Sequence, residues 1–464
     1  MGAAVGWAYS NRLLAPAYDE IFSAVRIAEL HPVQTLSYYM LPNNHILFNL
    51  VNNLVAHPFE DKVITGRLLS FVGYAGSLLL AGNWFRRQSL SYISAGALVM
   101  VLATQLPAWG FSAQSRGYAL QLLAGWGAYT SLVRYGPHGN PKQLYLHALA
   151  NIAGYALLPS YLYFHAAIVA FAAVTQLRSG RVDHRVWKAQ LITAVFVFLF
   201  YLPALCFSGM HAFSENRYVT AAFPSVEAFG PSFLADVKYY IAYGFSFIGG
   251  EHHKLHYLVF TLPVVLLFSR RNHVRETGLF YFLIWGVFFL LVLFMKRFPF
   301  NRNLIIHYSV GLAIIIYSFY LMLGYALAAI RCKWLTAPIT AALSFVIAWQ
   351  FARVFNKDVH HLIYGNNIND LDMQNAKSIN QLEKRASIAF SEESFYWFYH
   401  CRKQGFRSSR CPEGNEKYFV KRVGEPMPDI YQKYSLFGVY PDDYEVYLNP
   451  ASNDGQTSRI KMNW

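Results

Sequence analysis

Long apolar stretches alternate with short polar ones over the first three quarters of the chain. A helix needs about 20 apolar residues to cross roughly 30 Å of hydrocarbon. The pattern predicts such helices near Gly66–Trp84, Tyr92–Trp109, Tyr118–Val133, Leu144–Pro159, Tyr161–Leu177, Ala189–Phe207, Leu255–Phe268, Thr277–Met295, Leu304–Leu327 and Trp334–Phe351. One more apolar segment, Met1–Ala17, is interrupted by Asn11 and Arg12 and reads as a short first helix or the remainder of a longer one. It lacks the basic start of a cleavable signal peptide. The expected architecture is an all-α polytopic membrane protein with about eleven transmembrane helices within residues 1–352 and large external loops at 18–65 and 209–254. Beyond that the pattern turns polar and mixed, with an aromatic cluster at Phe395–Tyr399. This predicts a small extracytoplasmic C-terminal domain of mixed structure over 353–464.

Composition narrows the class. Hydrophobic residues make up 55% of the 464 positions and charged residues 14%. That excludes a disordered chain and argues against a soluble globular enzyme. The net charge is +14. Residues 1–352 hold 24 Lys/Arg and 11 Asp/Glu, and the remainder hold 15 and 14. The basic excess thus lies between the apolar runs, where the positive-inside rule explains it better than nucleic-acid binding does. Five alternate loops carry Arg86, Arg87, Arg134, Lys142, Arg178, Arg181, Arg185, Lys188, Arg270, Arg271, Arg275, Arg331 and Lys333, with only Asp183 and Glu276 as acids. These loops are expected to be cytoplasmic, which places the N-terminus inside and the C-terminal domain outside. Cys401 and Cys411, with nine residues between them, would then face an oxidising compartment where a disulfide is reasonable; two free thiols are the alternative. No CxxC or Cys/His spacing typical of zinc occurs, and neither a phosphate-binding loop nor a dinucleotide fingerprint is present.

Four clusters carry candidate chemistry, all in loops assigned outside. Asp19 and Glu20 follow the first apolar segment; a carboxylate at a partly desolvated boundary can act as a general base, or both acids can simply cap a helix. Asn43, Asn44 and His45 in LPNNHILFNLVNN can hydrogen-bond a hydroxyl-rich or phosphate ligand, or serve as a turn and cap. Arg116, before Gly117 and Tyr118, sits at the outer end of a span, where a guanidinium is costly unless it snorkels or binds an anion. Lys296, Arg297 and Arg302 surround Pro299 in MKRFPFNRN; an anionic head group explains three cations there, and outer-leaflet lipid contact is the alternative. Glu251, His252 and His253 form a weaker candidate metal site, because adjacent side chains point apart.

This arrangement resembles the GT-C class of polyprenyl-phosphate-sugar-dependent glycosyltransferases, in particular bacterial relatives of the protein O-mannosyltransferases and the lipid A aminoarabinose transferases. YDEIF, NNHILFNL, GRLLSFVGYAGSLLL, SRGYALQLL and FPFNRNL carry the resemblance by their order and spacing over roughly residues 10–350. It implies an inverting transfer of a sugar from a lipid-phosphate donor to an unknown glycan, lipid or protein acceptor on the outer face of a bacterial cytoplasmic membrane. It implies Asp19 as the catalytic acid position with Glu20 beside it, and Arg116, Lys296, Arg297 and Arg302 near the donor phosphate. Asn44, His45, Arg67, Gln114 and Tyr118 match positions in the substrate region. Gln114 stands near the place where relatives often carry an acid, which leaves open both a second carboxylate and a divalent cation. The competing class is a transporter or flippase of lipid-linked sugars, which would favour mid-membrane charges and inverted repeats. Neither is evident in the sequence. A scaffold that binds a partner through its external tail is a weaker third option.

Overall fold

The acid pair begins helix α1 (Tyr18–Phe22), which continues as a π turn over Ser23–Ile27. The computed structural model describes residues 14–28, 30–39, 44–56, 61–88, 90–210, 233–238, 261–295, 298–329, 333–364, 374–391, 394–409, 413–440 and 443–452. The chain separates into two compact units. One joins Met1–Glu29 to His360–Trp464, and the other is Leu30–Val359. The α1 segment, expected within the membrane domain, thus groups with the C-terminal chain.

The larger unit is helical. Two short helices, α2 (Pro32–Ser37) and α3 (Ile46–Ala56), occupy the expected first external loop. Then follow α4 (Lys62–Arg87), α5 (Tyr92–Ala103), α6 (Leu106–Ser112), α7 (Tyr118–His138), α8 (Pro141–Leu157), α9 (Leu162–Ser179) and α10 (His184–Ser208). After a short α11 (Val264–Leu267) come α12 (Asn272–Met295), α13 (Ile305–Ala329) and α14 (Lys333–Tyr364). Local chemistry sets their ends. The Asp61 carboxylate accepts from the N–H groups of Val63 and Ile64, and Asn140 caps α8 with Pro141 at its first position. Gly139 and Gly180 adopt left-handed conformations that close α7 and α9.

Among the described residues, six helices are long and apolar enough to cross a membrane, or seven if one bent pair counts as a single span. The protein is an integral membrane protein, with fewer such helices than the eleven expected. The reasons are specific. Helix α8 has 17 residues and reaches only about 25 Å. Helix α7 carries Gln121, Thr130 and Ser131 on buried positions. Residues 1–13 and 255–260 lie outside the described residues, as does most of the loop 209–254.

The expected span Tyr92–Trp109 is the bent pair: α5 and α6 meet at 72°. Pro107 causes the break, because its ring would strike the carbonyl of Ala103 in a continuous helix. The carbonyls freed at the end of α5 find other donors. The Tyr74 hydroxyl donates to Ala103 O at 2.8 Å, and the Gln105 amide donates to Val101 O at 2.7 Å. Backbone groups in a membrane need such partners. A second set of polar links joins α8, α9 and α10. His147 contacts both Asn151 and Gln190 at 3.0 Å, Gln190 contacts His165 at 2.7 Å, and His165 contacts Tyr155 at 3.0 Å.

In the smaller unit, β1 (Ser387–Phe390), helix α15 (Phe395–Lys403) and β2 (Arg407–Ser409) form a parallel β–α–β element. With β3 (Tyr418–Arg422), β4 (Ser435–Tyr440) and β5 (Tyr444–Leu448) they build one mixed sheet in the order β2-β1-β3-β5-β4. Trp397, Ile388, Val420 and Val446 pack with Ile21 and Val25 of the N-terminal segment. Cys401 is a fully buried free thiol in this core; Cys411, its expected disulfide partner, lies outside the described residues. The core favours a small apolar thiol at α15, and burial pushes the Cys401 pKa up.

Candidate active site

The site is built around one turn. Residues 113–117 connect α6 to α7 and bring Arg116 and Gly117 against two other elements. From α4, the Ser70 hydroxyl donates to Arg116 O at 2.9 Å. From the start of α3, His45 Nδ1 accepts the backbone N–H of Gly117 at 2.9 Å. Small residues allow this approach. A Cβ at Gly117 would lie 2.8 Å from His45 Nδ1, and one at Gly73 would lie 2.8 Å from the backbone N of Leu120. Gly66, Ser70, Gly73 and Ser77 recur at helical spacing along one face of α4, which is how membrane helices approach closely.

The asparagines of LPNNHILFNLVNN hold the other side. The Asn44 amide donates to the carbonyls of Thr35 and Tyr38, and its oxygen accepts from Asn49 at 2.9 Å. Asn52 donates to Lys62 O and accepts from the Thr65 hydroxyl, both at 2.9 Å. Asn53 donates to Leu30 O at 2.6 Å. The hydrogen-bonding groups of Asn44 are thus engaged within the chain, and Asn44 fixes the loop that presents His45. Asn43 lies outside the described residues.

Around the turn, Tyr118 packs edge-on against the His45 ring at 4.9 Å between centroids, and the Arg116 guanidinium lies 5.8 Å from the Tyr118 ring centre. Arg116, Arg67, Tyr118, Asn44 and His45 are buried. Arg302 sits in the 3₁₀ turn Asn301–Leu304 that leads into α13, half-buried, with its guanidinium 4.8 Å from the Phe300 ring. Burial holds the His45 pKa well below the usual imidazole range, and the positive charges of Arg116 and then Arg302 push it further the same way. His45 is therefore neutral. Because Nδ1 accepts the Gly117 N–H, the ring proton resides on Nε2. That Nε2 is buried and has no hydrogen-bond partner among the described residues.

The structure thus brings His45 against Arg116 and Tyr118, with the charge of Arg302 acting on His45; positions 45, 116–118 and 302 lie far apart in the sequence. Gln114 lies half-buried in the same turn, and its carbonyl accepts the Arg116 N–H at 2.8 Å. Asp19 and Glu20 belong to the other unit. There they diverge: Glu20 is buried with its carboxylate accepting the Ala17 N–H at 2.8 Å, whereas Asp19 is half-buried. Lys296, Arg297 and the Glu251–His253 cluster lie outside the described residues. Among the described residues no group of three His, Cys, Asp or Glu side chains could hold a metal ion. Ser70 escaped the sequence reading, and Gly117 was noted there without a role. The small-residue spacing along α4 is the signal that could have found Ser70.

The whole-chain architecture matches solved structures. ArnT from Cupriavidus metallidurans bound to undecaprenyl phosphate superposes over 97% of both chains with a TM-score of 0.55 at 13% identity. The apo state of the same protein matches over 97% of both chains, with a TM-score of 0.55 at 11% identity. The fold is that of ArnT. ArnT is a GT-C polyprenyl-phosphate-sugar glycosyltransferase, so the fold agrees with the resemblance drawn from the motifs. No protein-family profile matches the sequence, and no curated protein matches it.

Proposed function

We propose that the chain is a membrane glycosyltransferase that moves a sugar from a polyprenyl-phosphate-linked donor to an acceptor on the extracytoplasmic face, with inversion. The observation that carries this reading is the turn 113–117 of an ArnT-like fold, where a neutral, buried His45 meets the backbone beside Arg116 and feels the charge of Arg302. Two guanidinium groups near the end of a span favour an anion, and a lipid phosphate is one. The solved ArnT complex, which holds undecaprenyl phosphate, supports a lipid-phosphate ligand here as well.

In the proposed reaction, an acceptor hydroxyl or amine attacks the anomeric carbon. The bond from that carbon to the phosphate oxygen breaks, and the lipid phosphate leaves as an anion. Asp19 takes the acceptor proton, with Glu20 beside it on α1. Arg116 and Arg302, with Lys296 and Arg297 of the same basic loop, stabilise the charge that develops on the departing phosphate. Fixed cations aimed at developing charge lower the barrier without reorganising. The donor carries its own phosphate leaving group, so the chemistry needs no nucleotide-binding domain. The basic residues of the alternate loops support an external C-terminus and an external site.

The test uses the purified full chain in proteoliposomes with radiolabelled polyprenyl-phosphate-sugar and a cell-envelope extract. Release of free polyprenyl phosphate together with a labelled acceptor is the expected outcome. Movement of intact donor across the vesicle, without release, would replace the enzyme by a transporter.

A further inference from the structure

Of the two ring nitrogens of His45, one is committed within the fold and the other has no partner among the described residues. Nδ1 is fixed as an acceptor by the Gly117 N–H at 2.9 Å. Gly117 is itself held by its neighbour Arg116, whose carbonyl and N–H both engage the Ser70 hydroxyl, at 2.9 and 3.4 Å. Edge-on packing against Tyr118 fixes the ring plane. The loop that carries the residue is tied down by Asn44 through Thr35, Tyr38 and Asn49. The result is a rigid N–H donor at Nε2, 1% exposed as a residue, with no acceptor among the described residues. A buried donor without a partner costs free energy, and a donor beside Arg116 would be silent toward any cationic or neutral apolar occupant.

We infer that the Nε2–H of His45 donates a hydrogen bond to a phosphate oxygen of the lipid-phosphate ligand, and that Gly117 sets the tautomer that makes this possible. This deepens the proposed function and rests on it. The chemistry is a division of labour. Arg116 and Arg302 supply charge, and the imidazole supplies a neutral, directional donor that orients the phosphate. A second role for the arginines is implied. By opposing protonation of His45, they keep Nδ1 available as the acceptor that anchors Gly117. A protonated ring would have to turn its Nδ1–H against the Gly117 N–H and lose the anchor.

The experiment measures binding of undecaprenyl phosphate to the full-length protein in nanodiscs, with inorganic phosphate as a second probe. Loss of one hydrogen bond to a charged group predicts that His45→Phe, which keeps the ring packing on Tyr118, weakens lipid-phosphate binding by about ten- to a hundredfold. His45→Gln, which keeps an N–H donor, is expected to lose less than His45→Phe. Arg302→Ala reports separately on the underlying reading. If the wild-type protein fails to bind lipid phosphate, the proposed function falls. If wild type binds and Arg302→Ala weakens it, but folded His45→Phe binds as wild type does, only the His45 inference is overturned. Competition by inorganic phosphate at comparable concentration would assign the site to the free anion and not to the lipid. A structure of the wild-type chain with undecaprenyl phosphate decides without any variant: a phosphate oxygen within hydrogen-bond distance of Nε2 is expected, and one more than about 5 Å away overturns the inference.

Discussion

Gly117 and His45, 72 positions apart in sequence, are joined by a hydrogen bond from backbone to ring nitrogen. The bond couples the start of α3 to the turn that carries Arg116. Through it, one imidazole reports on the position of the arginine and on the state of its own second nitrogen.

This coupling predicts a pH effect on stability. The folded ring resists protonation, whereas in the unfolded chain it titrates near about 6.5. A group whose folded pKa is lowered contributes stability above the unfolded value and loses it as pH falls below that value. The loss follows a slope of up to about 1.4 kcal/mol per pH unit for one proton. Denaturation of wild type and His45→Gln between pH 7 and pH 5 checks this. Wild type is expected to lose stability more steeply, and parallel curves would remove His45 from the acid response.

Ser70→Ala removes the hydroxyl that holds both backbone groups of Arg116. The expected cost is about 1 kcal/mol in unfolding free energy, with weakened lipid-phosphate binding. Ser70→Thr keeps the hydroxyl and is expected to recover part of the binding. If the alanine variant matches wild type in both measurements, Ser70 does not position the arginine.

For the acids, the two neighbours are expected to separate. Asp19→Asn should lower transfer by at least about a hundredfold with the thermal unfolding midpoint unchanged. Glu20→Ala should instead cost about 1 kcal/mol of stability, because its carboxylate accepts the Ala17 N–H at the start of α1. Full transfer by Asp19→Asn would take the proton-acceptor role away from that residue.

Tyr74→Phe leaves the Ala103 carbonyl at the α5–α6 break without its closest donor. The expected destabilisation is about 1–3 kcal/mol, the cost of a buried unsatisfied group. Unfolding in detergent measures it, and an unchanged midpoint would mean that another donor substitutes.

Thiol labelling addresses the C-terminal unit. Under non-reducing conditions, Cys401 should resist alkylation in the native protein and react once the protein is denatured, as read by peptide mass spectrometry. A cross-linked Cys401–Cys411 peptide would restore the disulfide expectation.

The sequence revealed the spans where apolarity was continuous and the ends were marked. Thr277–Met295 was expected and Asn272–Met295 is found; Leu304–Leu327 was expected and Ile305–Ala329 is found. It also singled out His45, Arg116 and Arg302, because polar groups at the ends of apolar runs stand out against their surroundings. What it hid were features whose cause is non-local. The break at Thr104 and Gln105, before Pro107, falls inside the expected span Tyr92–Trp109, where overall apolarity outweighed the polar pair and the proline. Ser70 looks like a tolerated serine until Arg116 is seen against it. Glu20 and Asp19 are neighbouring carboxylates in the sequence, and only the structure shows that one is buried and the other half-buried. In the C-terminal unit, Ile21 and Val25 share a core with strands more than 350 residues away, a pairing that local periodicity does not encode.

The 72° bend has a geometric consequence for the turn that carries Arg116. The seven residues of α6 would have carried a straight rod forward by about 10 Å; turned through that angle, they advance only about 3 Å along the original axis. The end of α6, four residues before Arg116, is therefore set back by about 7 Å along that axis. Arg116 follows it as a buried residue, so under the proposed function a charged head group that reaches this guanidinium gives up bulk water before any bond is broken.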